Sequence, residues 1–483
     1  MTIQKPLNEE AAFTNSEDTT ASIQPTSPDQ TGKHGTTRRQ FLGTAAKSAL
    51  ALAGATSLGP LVTACGSSSS GSKSQVTLTW YREGNPDEIA FTKKIVNKFM
   101  ADNPDIKIVI QTGDGVNHLQ KFNTELAGGS PPDLTMMWEL DYGSYAKKGV
   151  FMDLNQFIKS DSQFQDQVFS QEYKPMIDMF TWDGKLYVLP EQVTDTVLYY
   201  NKDHVQAAGL QMPTSWDDAS WTWDKFLDYA KKLNQTSGDR VTRYAFSEMW
   251  WYGLTACNVF AAANGGNWFA NPINPPAGSS NLADPNIAAA VQWYADLTNV
   301  HKVAAPSKAL TAQAGYQQFM SGRTSMGIAG HWFYGAFAGA SGLHFDIAPI
   351  PIGPNGGATS HTNTGGTGIS IVAKTRHPAE AWRFVKYWGG PEACAMRSSW
   401  LPPLQNVGYS SNYTQSNSAM AHANLFLDVL KSGYTHSLPI SPAWATFSIP
   451  WNTLTTNIWD GKKNSSALAD LDKTINQDIQ KYG

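Results

Sequence analysis

Residues 181–203, TWDGKLYVLPEQVTDTVLYYNKD, limit what this 483-residue chain can fold into more than any other stretch. Asp183-Gly184 is a tight-turn dipeptide, and the apolar run Leu186-Tyr187-Val188-Leu189 follows it directly. Pro190 breaks that run, because proline has no N–H to give to a ladder. A second β-rich run, 193–200, ends at the polar Asn201-Lys202-Asp203. A strand, a proline break and a second strand can carry the chain out of one packed unit and into another. At this length one core does not suffice, so two lobes are expected.

The first 74 residues read as an address rather than a fold. Residues 1–36 are polar and poor in apolar runs. Thr37-Arg38-Arg39-Gln40-Phe41-Leu42 has the pattern of a twin-arginine export signal, with Arg38 and Arg39 as its core, although Gly43 stands where a lysine is usual. The stretch 43–61 is interrupted by Lys47 and too rich in Ala and Gly to read as a membrane span. Val62-Thr63-Ala64-Cys65 resembles a bacterial lipobox, which places lipidation at Cys65. Residues 1–64 are therefore expected to be signal peptide and 65–74 a Gly/Ser-rich tether. The expected location is outside the cytoplasm, with the chain lipid-anchored to the outer face of a bacterial cell membrane. Cys257 and Cys394 remain, and the sequence leaves open whether they pair.

From residue 75 the pattern alternates. A β-rich run at 76–80 is followed by a helix that opens at Asn85-Pro86-Asp87-Glu88, with a cap, a first-turn proline and two acids at the positive helix end. A strand at 106–111, a short helix and a strand at 134–138 come next. This is the doubly wound α/β pattern, in which ligands sit beyond the carboxyl ends of the strands. Arg82, Glu83, Trp138, Glu139, Asp141 and Tyr142 occupy those positions. Further on, 244–251 reads as a strand running into Trp250-Trp251-Tyr252. Three consecutive aromatics at a strand end cannot all face inward, because side chains alternate. The glycines of Thr364-Gly365-Gly366-Thr367-Gly368 permit close backbone approach to a ligand.

Several of these segments carry a family resemblance. Asp183-Gly184-Lys185…Leu189-Pro190…Leu198-Tyr199-Tyr200-Asn201-Lys202-Asp203 resembles the first hinge crossover of the sugar-type extracellular solute-binding proteins of ABC importers. Ala127-Gly128-Gly129-Ser130-Pro131-Pro132-Asp133-Leu134 and Gly209-Leu210…Pro213-Thr214-Ser215-Trp216-Asp217 resemble two further motifs of that family, the second with an intrusion at 218–222. Ser321-Gly322-Arg323…Met326…Gly330-His331-Trp332 resembles a third, whose tryptophan stacks on ligand. The resemblance covers the chain from about Gln75 to its end. It implies a periplasmic-binding-protein-like α/β fold, two doubly wound lobes joined by a hinge with ligand in the cleft between them. The implied lobes are 75–192 plus about 360–398, and 193–359 plus about 399–483. The implied ligand contacts are Arg82, Glu83, Trp138, Glu139, Asp141, Gln192, Thr194, Trp250, Trp251, Asn264, Trp332, Gly366, Thr367, Trp400 and Trp444.

Composition agrees with a chain that uses ring faces to bind something flat and partly apolar. Charged residues make up 16%, the net charge is −4, and aromatics reach 12% with 17 Trp. That balance gives no footing for nucleic acid. No G-x-S-x-G, Walker or H-E-x-x-H motif occurs, and the ten His lack ligand spacing, so no catalytic residue, metal or cofactor is expected. The expectation is a monomeric receptor, not an enzyme, that closes over a sugar and delivers it to the permease subunits of an ABC importer. A secreted glycoside hydrolase stays open, because Glu83, Glu139, Asp141, Glu191 and Asp195 offer carboxylate pairs. So does a receptor for a non-sugar solute.

Overall fold

The computed structural model describes residues 75–483 apart from 85, 114, 398, 399 and 433. The export signal, Arg38, Arg39, Cys65 and the tether lie outside the described residues. Ten strands build two five-stranded sheets: β1 (Val76–Glu83), β2 (Ile106–Gly113), β3 (Leu134–Trp138), β4 (Leu189–Val193), β5 (Thr196–Asn201), β6 (Gln235–Ser237), β7 (Arg240–Glu248), β8 (Thr324–Gly330), β9 (Phe345–Ala348) and β10 (Gly366–Ile371). The first sheet has the order β2-β1-β3-β10-β4, with β1 parallel to β2 and β3, and β10 antiparallel to β3 and β4. The second has the order β9-β5-β8-β7-β6, with β8 parallel to β7 and antiparallel to β5.

Each sheet is the centre of a lobe. In the first, helices α1 (Pro86–Asp102) and α2 (Gly115–Ala127) connect β1 to β2 and β2 to β3. Helix α3 (Glu139–Lys147) starts directly on the last residue of β3. Strands β1 and β3 are apolar on both faces, as sheets covered by helices require: Leu78, Trp80, Tyr81, Leu134 and Met137 are all buried. In the second lobe, α4 (Trp223–Leu233) and α5 (Pro285–Asn299) pack on Phe246 of β7 through Phe226 and Tyr294, at 5.7 and 5.8 Å, and on each other through stacked Trp223 and Trp293, their rings 4.4 Å apart. A late helix of the first lobe, α6 (Pro378–Gly389), precedes two at the end of the chain, α7 (Trp444–Trp459) and α8 (Leu468–Tyr482).

The proline break works differently from its expected role. Residues Lys185–Leu186 pair back onto Thr181–Trp182 in a small hairpin whose turn holds Asp183 and Gly184 at positive φ. Pro190 then lies inside β4 rather than ending a strand. It is tolerated there because β4 is the sheet edge, and because the register with β10 shifts between Thr367 and Gly368, opposite the proline. The crossover itself is two residues, Thr194 and Asp195, between β4 and β5.

The return path lies against that crossover. Thr196 Oγ1 donates to Asn363 Oδ1 at 2.6 Å, and Thr362 Oγ1 donates to the Thr196 carbonyl at 2.7 Å. Residues Thr362–Asn363 also pair in parallel with Thr435–His436, so three chain segments run side by side between the sheets. Cys257 and Cys394 are separate, buried free thiols. Among the described residues no helix is long and apolar enough to cross a membrane, and no cluster of three metal-ligating side chains occurs.

Candidate functional site

The parallel ladder β1/β3 brings two carboxyl ends together, and the side chains there meet. Trp138, the last residue of β3, donates its indole N–H to Glu83 Oε2 of β1 at 3.3 Å. Glu139 follows as the first residue of α3, with Asp141 also in the first turn of that helix. Glu139 Oε2 accepts the Gly366 backbone N–H at 3.2 Å. A Cβ on Gly365 would fall 2.5 Å from Glu139 Oε1 and 2.7 Å from Thr194 Oγ1, so only glycine allows this approach. Thr194 donates its backbone N–H to the Gly365 carbonyl at 2.9 Å. The ends of β1 and β3, the hinge and the glycine run thus form one surface containing Glu83, Trp138, Glu139, Thr194 and Gly366. Thr367 pairs in register with both Trp138 and Gln192, and Gln192 is buried.

Burial pushes Glu139 up to about 7, with the charge of Asp141 adding to the rise and the hydrogen bonds from backbone N–H groups opposing it. At neutral pH this carboxyl titrates between an acceptor and a donor. Asp195 at the crossover is fully buried, neither of its carboxyl oxygens has a hydrogen-bond partner, and desolvation raises it well above the usual carboxylate range.

The second lobe presents tryptophans from its own parallel strand ends. β7 ends at Glu248 and β8 at Gly330, so Trp250 and Trp332 emerge next to each other, ring centroids 4.7 Å apart and edge to face. Trp251 lies 5.7 Å from Trp250, and Trp444, at the start of α7, lies 6.1 Å from Trp251. The four rings form a connected row, and each is only partly buried. Their placement has local causes. Glu248 is buried and accepts the Trp250 backbone N–H at 3.0 Å, while the Trp251 indole donates to Asn452 Oδ1 at 2.7 Å. A Cβ on Gly330 would sit 1.8 Å from the Trp332 ring, so that ring folds flat over the end of β8.

Three expected contacts lie elsewhere. Arg82 is fully buried and ion-paired with Glu191, and its guanidinium packs over Trp80, Trp388 and Trp400 at 5.0–5.3 Å. Trp400 is therefore part of a box around Arg82 and is itself buried against Phe91, 4.9 Å away. Glu191 also accepts from the Trp388 indole at 2.6 Å and from Thr367 Oγ1 at 3.1 Å. Asn264 is fully buried, donating to the Asn286 carbonyl and accepting from the Asn355 N–H, apart from the tryptophan row. Glu191, Trp388 and Arg397, whose guanidinium lies 4.3 Å over Trp388, form a buried polar core not expected from sequence. Its only sequence sign is an acid directly after Pro190 in the crossover segment. Among the described residues, the charged ones that are partly exposed at the carboxyl ends of β1 and β3, Glu83, Glu139 and Asp141, are all acids.

A model of bacterial extracellular solute-binding proteins matches residues 84–393. The chain belongs to that family. This solute-binding protein is 25% identical over 416 residues to the diacetylchitobiose-binding protein DasA of Streptomyces coelicolor, covering 83% of the chain and 89% of the relative. It is 25% identical to the lactose-binding protein of Rhizobium radiobacter, over 62% of the chain and 66% of that protein. Among solved structures it resembles an ABC substrate-binding protein of Listeria monocytogenes in complex with cycloalternan, with TM-score 0.72, 24% identity, and coverage of 84% and 99%. It also resembles UgpB of Mycobacterium tuberculosis in complex with glycerophosphocholine, with TM-score 0.69, 18% identity, and coverage of 84% and 98%. These likenesses establish the two-lobed solute-binding fold.

Proposed function

We propose that this solute-binding protein is a receptor for a neutral oligosaccharide, held between the tryptophan row of the second lobe and the acid-lined strand ends of the first, and passed on to an ABC importer. The observation that carries the reading is the row Trp332-Trp250-Trp251-Trp444, four partly exposed rings fixed by their own packing. Ring faces stack on the C–H faces of sugars, and carboxylates accept sugar hydroxyls. Stacking at ~0.5–1.5 kcal/mol per ring supplies only part of the roughly −8 kcal/mol of micromolar binding. Hydrogen bonds and desolvated area supply the remainder.

Charge separates a sugar from the phosphodiester that one structural neighbour binds. Arg82 and Arg397 are buried, and Arg82 is already neutralised by Glu191. A phosphate in the cleft would meet Glu83, Glu139 and Asp141 with no exposed arginine among the strand-end residues named above. The relatives that bind diacetylchitobiose and lactose support the same choice. The relatives are binding proteins, and we read this chain likewise as one that returns its ligand unchanged. Release of a shorter sugar from any oligosaccharide would refute that.

The lobes would close around the crossover and its two neighbouring segments, with bound ligand stabilising the closed state. Export through Arg38-Arg39 and acylation at Cys65 would hold a monomeric receptor on the outer face of the bacterial cell membrane, in line with the lipoprotein named among the relatives. The test is a thermal-shift and tryptophan-fluorescence screen with neutral oligosaccharides, uronic-acid oligosaccharides and glycerophosphocholine. A saturable rise in melting temperature with neutral sugars alone is expected. A response to glycerophosphocholine alone would refute the sugar reading.

A further inference from the structure

The tryptophan row has an end, and something is built against it. Trp444 follows Ile440 by one turn of chain, and its N–H donates to the Ser441 carbonyl at 3.0 Å. Ile440 is fully buried. Its backbone is clamped on both sides by the loop at 271–276: its N–H donates to the Pro272 carbonyl at 2.7 Å, and its carbonyl accepts from the Asn274 N–H at 3.0 Å. That loop is stiff. Asn274 sits at φ +50 between Pro272 and the pair Pro275-Pro276. Its far side is tied to α8, where Asp472 Oδ1 accepts from Ser280 Oγ at 2.6 Å and from the Leu282 N–H at 2.7 Å.

Ile440 does not stay within its own lobe. A Cβ on Gly143 would lie 3.4 Å from Ile440 Cγ2 and 3.0 Å from the Trp182 ring, so the isoleucine is seated on α3 of the first lobe. That is the helix whose first turn carries Glu139 and Asp141. Gly143 leaves the space that Ile440 and Trp182 fill. The contact therefore spans the two lobes at the Trp444 end of the row.

We infer that Ile440, clamped by the 271–276 loop and seated on Gly143, is a plug that closes one end of the ligand trench, so that the protein grips a saccharide by one terminus and limits its length. This deepens the receptor reading and rests on it. A trench open at both ends would take the interior of a long polymer. One closed at a single end accepts extension of the ligand in one direction only. Selection then comes from steric exclusion at the plugged end as well as from hydrogen bonds.

The test is calorimetric titration of the protein with malto-, manno- and chito-oligosaccharides from the disaccharide to the hexasaccharide. The best binder is then measured again with a bulky aromatic tag at its reducing or its non-reducing end. Extension or tagging at one terminus is expected to weaken binding at least about tenfold, and at the other to change it little. Ile440→Ala, checked for folding by its melting curve, is expected to recover most of the loss at the blocked terminus. Equal tolerance at both termini of the parent protein overturns the plug without need of any variant. So does a blocked terminus that a folded Ile440→Ala protein leaves blocked. Failure to bind any sugar in the series refutes the receptor reading itself, and the plug with it.

Discussion

Arg82 is the residue for which the strand-end rule and the structure give different roles, and one substitution separates them. As a ligand contact, its loss would lower affinity and leave stability alone. As half of a buried ion pair with Glu191, its loss strands a carboxylate that is 0% exposed. Breaking a buried pair from one side costs ~3–5 kcal/mol. Unfolding entropy of ~2.1 cal/mol/K per residue, over the roughly 400 residues from Gln75 to Gly483, gives about 0.85 kcal/mol/K and a fall in melting temperature of about 4–6 °C for Arg82→Met. The double variant Arg82→Met/Glu191→Leu removes both charges, and apolar replacement of a buried pair is often neutral. Here it recovers only part of the loss, because the Trp388 indole N–H and the Thr367 hydroxyl both lose their acceptor, at about 1–3 kcal/mol each. Circular-dichroism melting of parent, single and double variants reads this directly. An Arg82→Met protein that melts within about 1 °C of the parent but binds its sugar far more weakly would refute the buried-pair argument.

The remaining predictions address the site. Trp332→Ala weakens ligand binding by at least about tenfold in a folded protein, read by titration, and unchanged affinity would remove Trp332 from the site. Gly330→Ala puts a methyl where the Trp332 ring lies, 1.8 Å from its Cβ position, so it also lowers affinity. Combined with Trp332→Ala it adds little further loss, and a fully additive double variant would contradict that coupling. Glu139, raised in the folded protein from 4.5 to about 7, favours folding when protonated. Its stabilising effect is present below about 4.5 and lost as pH climbs through about 7, and Glu139→Gln flattens the fall in melting temperature over that window. A pH–stability curve identical in parent and variant would count against the burial of this carboxyl. Cys257 and Cys394, pushed by burial up to about 12 and about 11, stay unreactive toward a thiol reagent until the protein unfolds. Labelling of either in the native state, read by peptide mass, would contradict this.

Much of the architecture was legible because it rests on local signals. The alternation of apolar runs and capped helices from 76 to 138 gave the parallel strands β1, β2 and β3 in order, and strand-end reasoning brought Glu83, Trp138 and Glu139 to one surface. The outcome expected at Trp250-Trp251-Tyr252, that not all three face inward, holds, but not through the pleat, because the strand stops at Glu248 and the two adjacent tryptophans are both partly exposed. Tyr252 is buried. What sequence did not disclose are matters of register and long-range pairing. Pro190 looked like a strand terminator, and only its edge position and the shift against β10 make it a strand residue. Arg82 looked like a cleft cation because nothing within 100 positions names Glu191 as its partner.

The same distinction explains how the site is held. The groups expected to touch ligand stand on strand ends, yet what fixes them comes from far along the chain. Glu139 is held against Gly365 and Gly366, Trp251 is tied to Asn452, and Trp332 lies over a glycine on its own strand. A crossover of two residues with a buried, raised Asp195 lies between the two surfaces, side by side with the return path through Thr362 and Asn363. Bending there would move each surface as a unit, because Glu139 is braced by Gly366 within the first lobe and Trp251 by Asn452 within the second.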